Sequence, residues 1–257
     1  MKAVILAGGL GTRISEETTV KPKPMVEIGP MPILWHIMKI YASHGVNDFI
    51  VCCGYKGHII KEFFSSYAMR SNSVRIDLAT GDQEILDGVS ENWTVSLIET
   101  GEETMTGGRL KRVREYLGDE PFFFTYGDGV SDVDLTELVA FHRKQDVLVS
   151  LTAVQPPGRF GALALGSDQT IIREFHEKPD GDGAWVNGGF FVVDPKAIDY
   201  IEGDPTSWEK EPLSRIAQAG KLAAYRHTGF WQPMDTLRDK NYLESLWDSG
   251  DAPWKVW

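Results

Sequence analysis

The chain is poor in cysteine, has no long apolar run, and carries fewer cations than anions. Its two cysteines, Cys52 and Cys53, are neighbours inside the apolar run "DFIVCCGY". Such a pair in a strand reads as two buried free thiols, which argues against a disulfide-stapled fold and points to a reducing compartment. The four apolar residues Ala3 to Leu6 run directly into Ala7 and a glycine, too short for a signal-peptide core or a membrane span. The expected location is therefore cytoplasmic. Lysine and arginine number 26 against 37 acids, a formal net charge of −11. That field repels nucleic acid and anionic membrane, so neither is expected as a partner, and an anionic ligand would need a locally cationic pocket or a metal ion. Fixed-period repeats and low-complexity tracts are also missing.

What is present is a globular composition, 42% hydrophobic and 25% charged over 257 residues, with no linker to divide it. A single domain over 1–257 is expected. Short apolar runs alternate with helical patterns: "AVILAG", "PILWHIMKIYASHG", "DFIVCCGY", "GHIIKEFFSSY". Continuous apolar strands imply a mostly parallel sheet covered by helices on both faces, an α/β fold. Later strands are predicted in "FFFTYG", "LVSLTAV" and "GGFFVVD". In "SDVDLTELVAFHRK", Ser131 or Asp132 is the expected helix cap. "PLSRIAQAG" and "TLRDKNYLESLWDSG" read as helices ending at Gly220 and Gly250. Two departures are expected: a β-rich excursion at about 71–98, read from "LATGDQEILDGVSENWTVSLIE", and a helical tail at about 235–257.

The opening, "MKAVILAGGLGTRISEETTVKPKPM", places glycines and cations together at the end of the first predicted strand. A glycine turn between a parallel strand and a helix presents backbone N–H groups that can hold a phosphate, and Gly8, Gly9 and Gly11 have that placement. The dinucleotide fingerprint fails because Ile14 stands where its third glycine belongs, and no G-K-[ST] follows to make a P-loop. Arg13 offers a forked guanidinium suited to phosphate. Pro22 and Pro24 hold Lys21 and Lys23 on extended backbone, so the two lysines leave the chain in different directions. The competing reading is a tight turn followed by a solvated basic loop.

"PFFFTYGDG" sets Asp128 just past the end of a strand, where open α/β sheets bind ligands. A Mg²⁺ ion takes one or two carboxylates together with phosphates and water. A plain turn residue is the alternative for Asp128. Calcium and zinc are disfavoured: no EF-hand spacing surrounds Asp128, Asp132 and Asp134, and the six histidines form no ligand cluster.

"LAGGLGTR" followed by "PKPM" resembles the sugar-1-phosphate nucleotidyltransferases, over nearly the whole chain. The further segments "TGGRLKR", "FTYGDG", "PPGRFGAL", "FHEKP", "NGGFFV" and "GFWQPMDT" follow in the order of that family's glucose-1-phosphate cytidylyltransferase branch. The resemblance implies a Rossmann-like fold whose first turn, Leu6, Ala7, Gly8, Gly9, Gly11 and Thr12, surrounds a nucleoside triphosphate. It implies that Arg13 and Lys23 act on the phosphates, Lys23 as the catalytic lysine with Lys21 as second choice. It gives Asp128 and Asp235 as ligands of Mg²⁺, although Asp235 also reads as the N-cap of the next helix. It puts Thr106, Gly107, Gly108 and Arg109 beside the nucleotide, where "TGGR" could equally be a type II turn. It assigns the sugar phosphate to Gly161, Glu177, Lys178, Asn187 and Gly188, although Glu177 and Lys178 could be an exposed pair at a strand end.

The implied substrates are CTP and glucose 1-phosphate, the products CDP-glucose and pyrophosphate, and the assembly a homo-oligomer, a hexamer. In this family CDP-glucose feeds deoxysugars of bacterial surface polysaccharides such as the O-antigen of lipopolysaccharide. Eight tryptophans, with Trp247, Trp254 and Trp257 near the carboxyl end, suggest apolar surface for such an interface. A phosphate monoester has its second pKa near ~6 and so attacks without a general base. Three rivals stand beside this reading: a glycosyltransferase using Asp132-Val133-Asp134 as its metal motif, a non-catalytic subunit of the same fold, and the same chemistry on another nucleotide or sugar.

Overall fold

The computed structural model describes residues 1–88, 91–156, 162–165, 172–176 and 184–257. Seven strands form the central sheet: β1 (Ala3–Leu6), β2 (Asp48–Cys53), β3 (Thr94–Glu99), β4 (Phe122–Tyr126), β5 (Val149–Val154), β6 (Val186–Val193) and β7 (Leu222–His227). Their order is β7-β5-β6-β4-β1-β2-β3. The ladders β4-β1, β1-β2, β2-β3 and β5-β7 are parallel, and β6 runs antiparallel to both its neighbours. The sheet is thus mixed and mostly parallel, as expected.

Both faces are buried, which is why the strands read as unbroken apolar runs. Along β1, Ala3 and Ile5 pack with Ile37, Phe49, Leu138 and Leu243 on one side, while Val4 and Leu6 pack with Leu110, Phe124, Trp208 and Ile216 on the other. The first layer is built by helices α1 (Ile33–Ser43), α2 (Gly57–Ser65), α4 (Leu135–Lys144) and α6 (Leu237–Ser249), the second by α3 (Thr106–Arg112) and α5 (Glu211–Gln218).

The α4 cap is Asp134, which accepts from the N–H groups of Thr136 (2.9 Å) and Glu137 (3.0 Å). This corrects the expectation of Ser131 or Asp132: Ser131 ends a short strand instead. The expected excursion is also shorter than 71–98. Residues Val74–Ile76 and Gln83–Ile85 form a hairpin apart from the sheet, but Thr94–Glu99 is the sheet's edge strand, in parallel register with β2. The tail folds back after α6. Trp254 is fully buried, stacked on Phe230 with ring centres 5.6 Å apart, so part of the tail's aromatic surface is consumed within the chain.

Candidate active site

The first glycine turn leaves the carboxyl end of β1. The Ala7 N–H still reaches the Cys52 carbonyl (3.1 Å), and Gly11 then turns the chain in the left-handed region, φ 64°, where glycine is favoured. Gly8 lies against the guanidinium of Arg109, leaving no space for a side chain. Gly9 differs, since a Cβ there would meet no atom of the described residues within 4 Å. Among the described residues nothing demands glycine at 9, and the space in front of it is open for a ligand.

Behind the turn Arg109 is 4% exposed. Its guanidinium donates to the carbonyls of Gly8 (2.9 Å), Cys53 (3.3 Å), Gly101 (2.7 Å) and Glu102 (3.0 Å) and to the Thr100 hydroxyl (2.7 Å). One cation thus ties the glycine turn, the end of β2 and the segment after β3. Burial away from water lowers its pKa.

Pro22 is extended and Lys23–Met25 forms one 3₁₀ turn, with Met25 N–H on the Pro22 carbonyl at 2.8 Å. This turn separates the two lysines. Lys21 pairs with Glu27 at 3.2 Å, and both line a different groove. The Lys23 side chain is 9% exposed, and its ammonium donates to Asp128 Oδ2 at 2.6 Å and Asp235 Oδ1 at 2.7 Å. Arg13 donates to Asp235 Oδ2 at 2.7 Å from the exposed rim. Lys23, rather than Lys21, therefore faces the aspartates.

The aspartates meet because Gly129–Ser131 pairs antiparallel with Trp231–Pro233, and the Met234 N–H adds a bond to the Asp128 carbonyl at 2.8 Å. Asp235 does not cap α6. Thr236 does, through a capping box with Asp239, which leaves the Asp235 carboxylate to the Lys23 and Arg13 side chains. The carboxylates and cations offset each other in charge, an arrangement of opposite charges suited to rearranging around a phosphate and a metal ion.

These groups share a cleft of about 750 Å³. Leu6, Ala7, Gly8, Gly9, Gly11, Thr12 and Arg13 form one wall, and Lys23, Asp128, Asp235, Thr106, Arg109 and Asn187 also line it. Gly107 does not: it is buried against the backbone of the loop before α5, its N–H on the Thr206 carbonyl at 3.0 Å, and Gly108 is wedged under Asp204. "TGGR" is the first turn of α3, and its glycines allow close packing there. Gly188 lies beneath the cleft edge, its carbonyl accepting from the Trp231 indole at 2.7 Å. Gly161, Glu177 and Lys178 lie outside the described residues. Sequence reasoning missed Tyr126, Glu209 and Trp231 in the lining. Trp231 stands in the quoted "GFWQPMDT", whereas "TSWEKEP" around Glu209 reads as a solvated charge run.

The D-x-D aspartates have structural partners. Asp134 caps α4, and Asp132 Oδ1 lies 2.9 Å from His227 Nε2.

A profile of the nucleotidyl transferase family matches residues 2–239. A glucose-1-phosphate cytidylyltransferase of Salmonella typhimurium (strain LT2) is 59% identical over 100% of both chains. A Bacillus subtilis (strain 168) protein named "Probable glucose-1-phosphate cytidylyltransferase" is 45% identical, again over 100% of both. Among solved structures, HddC from Yersinia pseudotuberculosis superposes with a TM-score of 0.69 at 24% identity, covering 96% of this chain and 99% of that one, which is a likeness of fold. The cleft, its two bridged aspartates and these full-length identities lead to one assignment: this chain belongs to the nucleotidyl transferase family, on its glucose-1-phosphate cytidylyltransferase branch.

Proposed function

We propose that the chain joins CTP and α-D-glucose 1-phosphate to give CDP-glucose and pyrophosphate, by in-line attack of the sugar phosphate oxygen on the α-phosphorus of CTP. The observation that carries this is the convergence of Lys23, Arg13, Asp128 and Asp235 beside an open glycine turn. The 59% identity to a glucose-1-phosphate cytidylyltransferase supports cytosine and glucose.

The site fits a magnesium ion. Two hard carboxylate oxygens already share one cation, and among the described residues no third acidic, histidine or cysteine ligand joins them. That donor set matches an ion completing its shell with phosphates and water. Bound there by Asp128 and Asp235, it would neutralise phosphate charge. Backbone N–H groups of the glycine turn hold the triphosphate, and Lys23 exchanges its carboxylate bonds for the α-phosphate oxygens as charge builds there. Arg13 binds the outer phosphates and favours pyrophosphate departure. The nucleophile is already ionised at neutral pH, so positioning and charge stabilisation account for the rate.

The test is pyrophosphate release from the common nucleoside triphosphates crossed with several sugar 1-phosphates, with and without Mg²⁺. Release confined to CTP with glucose 1-phosphate is expected; no pyrophosphate from any pair, together with release of a nucleoside diphosphate from a nucleotide sugar given as donor, would establish the glycosyltransferase.

We place the enzyme in the cytoplasm, supplying CDP-glucose to O-antigen synthesis, and take its working form to be a homohexamer. Its hairpin supports assembly: Ile76, Leu78, Ile85 and Leu86 are all exposed on a two-stranded unit that is marginal alone. Light scattering after gel filtration reads the mass.

A further inference from the structure

Glu209 lies in the loop before α5 and lines the cleft, yet the phosphate chemistry has no use for it. Its Oε1 accepts from the Tyr126 hydroxyl at 2.7 Å and its Oε2 from the Thr106 hydroxyl at 2.7 Å. An ionised carboxylate only accepts, so the single Tyr126 proton points at Glu209. The Tyr126 oxygen is then an acceptor, and Asn187 Nδ2 donates to it at 3.2 Å. Asn187 Oδ1 in turn accepts from the Gly189 N–H at 2.9 Å, which settles which way round the amide lies. Gly189, at φ 82°, leaves space for the Tyr126 ring directly against it.

The polarity of this chain is therefore set from one end. Among the described residues these bonds leave Asn187 one N–H to give, and the exposed Glu209 carboxylate keeps lone pairs. A donor beside an anionic acceptor suits a hydroxylated ring, whose hydroxyls both give and take hydrogen bonds. It repels phosphate, which brings only acceptors when fully ionised.

We propose that Glu209 determines sugar specificity, accepting a ring hydroxyl and, through Tyr126, positioning the Asn187 amide to serve another. This rests on the reading that the cleft holds a sugar 1-phosphate. Tyr126 is a positioning residue, and Glu209 is the group that touches the ring.

The experiment compares wild type, Glu209→Gln and Tyr126→Phe in pyrophosphate release, varying CTP and glucose 1-phosphate separately and then replacing the latter with its monodeoxy analogues. Each variant should raise the glucose 1-phosphate KM about ten-fold while the CTP KM stays within about two-fold. Discrimination against at least one deoxy analogue should collapse, because the bond that detects the missing hydroxyl is gone. A structural role alone would leave that selectivity intact. An unchanged sugar KM in both variants, or a change confined to CTP, overturns the proposal. If wild type releases no pyrophosphate from this pair, the proposed function fails. Equilibrium dialysis of labelled glucose 1-phosphate then decides the inference: tighter retention by wild type than by Glu209→Gln supports it, and equal or absent binding overturns it. Should Glu209→Gln fail to fold, Tyr126→Phe carries the same comparison.

Discussion

Asp128 and Asp235, from opposite halves of the chain, accept hydrogen bonds from a single ammonium group, that of Lys23, at 2.6 and 2.7 Å. Removing that group leaves two carboxylates facing each other in a half-buried site. Lys23→Ala should lower kcat by about 10²–10³-fold, more than it raises KM, since the lost interaction strengthens in the transition state. The same variant should melt below wild type without metal and recover part of the difference in millimolar Mg²⁺, because the cation replaces the missing charge. Steady-state kinetics and thermal melts with and without Mg²⁺ check both effects. An unchanged kcat removes Lys23 from catalysis.

The two adjacent glycines of the first turn should respond oppositely. Gly8→Ala pushes a methyl group into the Arg109 guanidinium and should cost about 1–3 kcal/mol of stability. Gly9→Ala meets no atom of the described residues and should melt like wild type, yet weaken CTP binding through collision with the ligand. Calorimetric melting paired with CTP titration separates them.

Arg109 holds five acceptors from its buried position, and lysine cannot reproduce that fork. Arg109→Lys should destabilise the protein by about 2–4 kcal/mol and raise the CTP KM, because the freed carbonyls belong to segments that line the cleft. Urea unfolding reads the first and initial-rate kinetics the second. Wild-type values for both would show the clamp to be dispensable.

His36 gives the fold an acid limit. It is fully buried, with Nε2 2.9 Å from the Ile28 carbonyl and Nδ1 facing the Trp254 indole N–H at 3.4 Å. The indole only donates, so Nδ1 must accept and the ring is neutral. Burial lowers its pKa from 6.5 to about 4. The unfolded chain therefore binds the proton first on acidification: the contribution is complete above pH 6.5, declines as pH falls, and is gone below about 4, a loss of about 3 kcal/mol. Unfolding free energies between pH 7.5 and 4.5 should show this slope, and His36→Leu should flatten it.

How much of this was legible follows the range of each interaction. The alternating units and the glycine turn are local patterns, and β1, β2 and their helices lie where "AVILAG" and "DFIVCCGY" put them. Asp128 could be read from its place after a strand, but Asp235 needed the family likeness, because its partner strand is far away in the chain. Lys21 and Lys23 each precede a proline, and apart from the family likeness it is the 3₁₀ turn beginning at Lys23 that tells them apart. Gly107 shows why spacing alone does not assign a glycine: it packs α3 against the Thr206 and Trp208 backbone, and glycine serves close helix packing as readily as ligand approach. β3 was merged with the hairpin because Thr94 and Ser96 dilute an edge strand that is only partly covered. Glu209 left no local signal, since its meaning comes from Tyr126 and Thr106, which reach it through the fold.

The short ladder between Gly129–Ser131 and Trp231–Pro233 has a consequence for truncated chains. The ladder brings Asp235 to Asp128 from a distant part of the chain, so a fragment that ends before residue 235 lacks one of the two carboxylates that the Lys23 ammonium bridges. A chain broken off before residue 235 still contains all seven strands of the central sheet but leaves the Lys23 ammonium with Asp128 alone of its two bridged acids, so an intact sheet is no sign of an intact cleft.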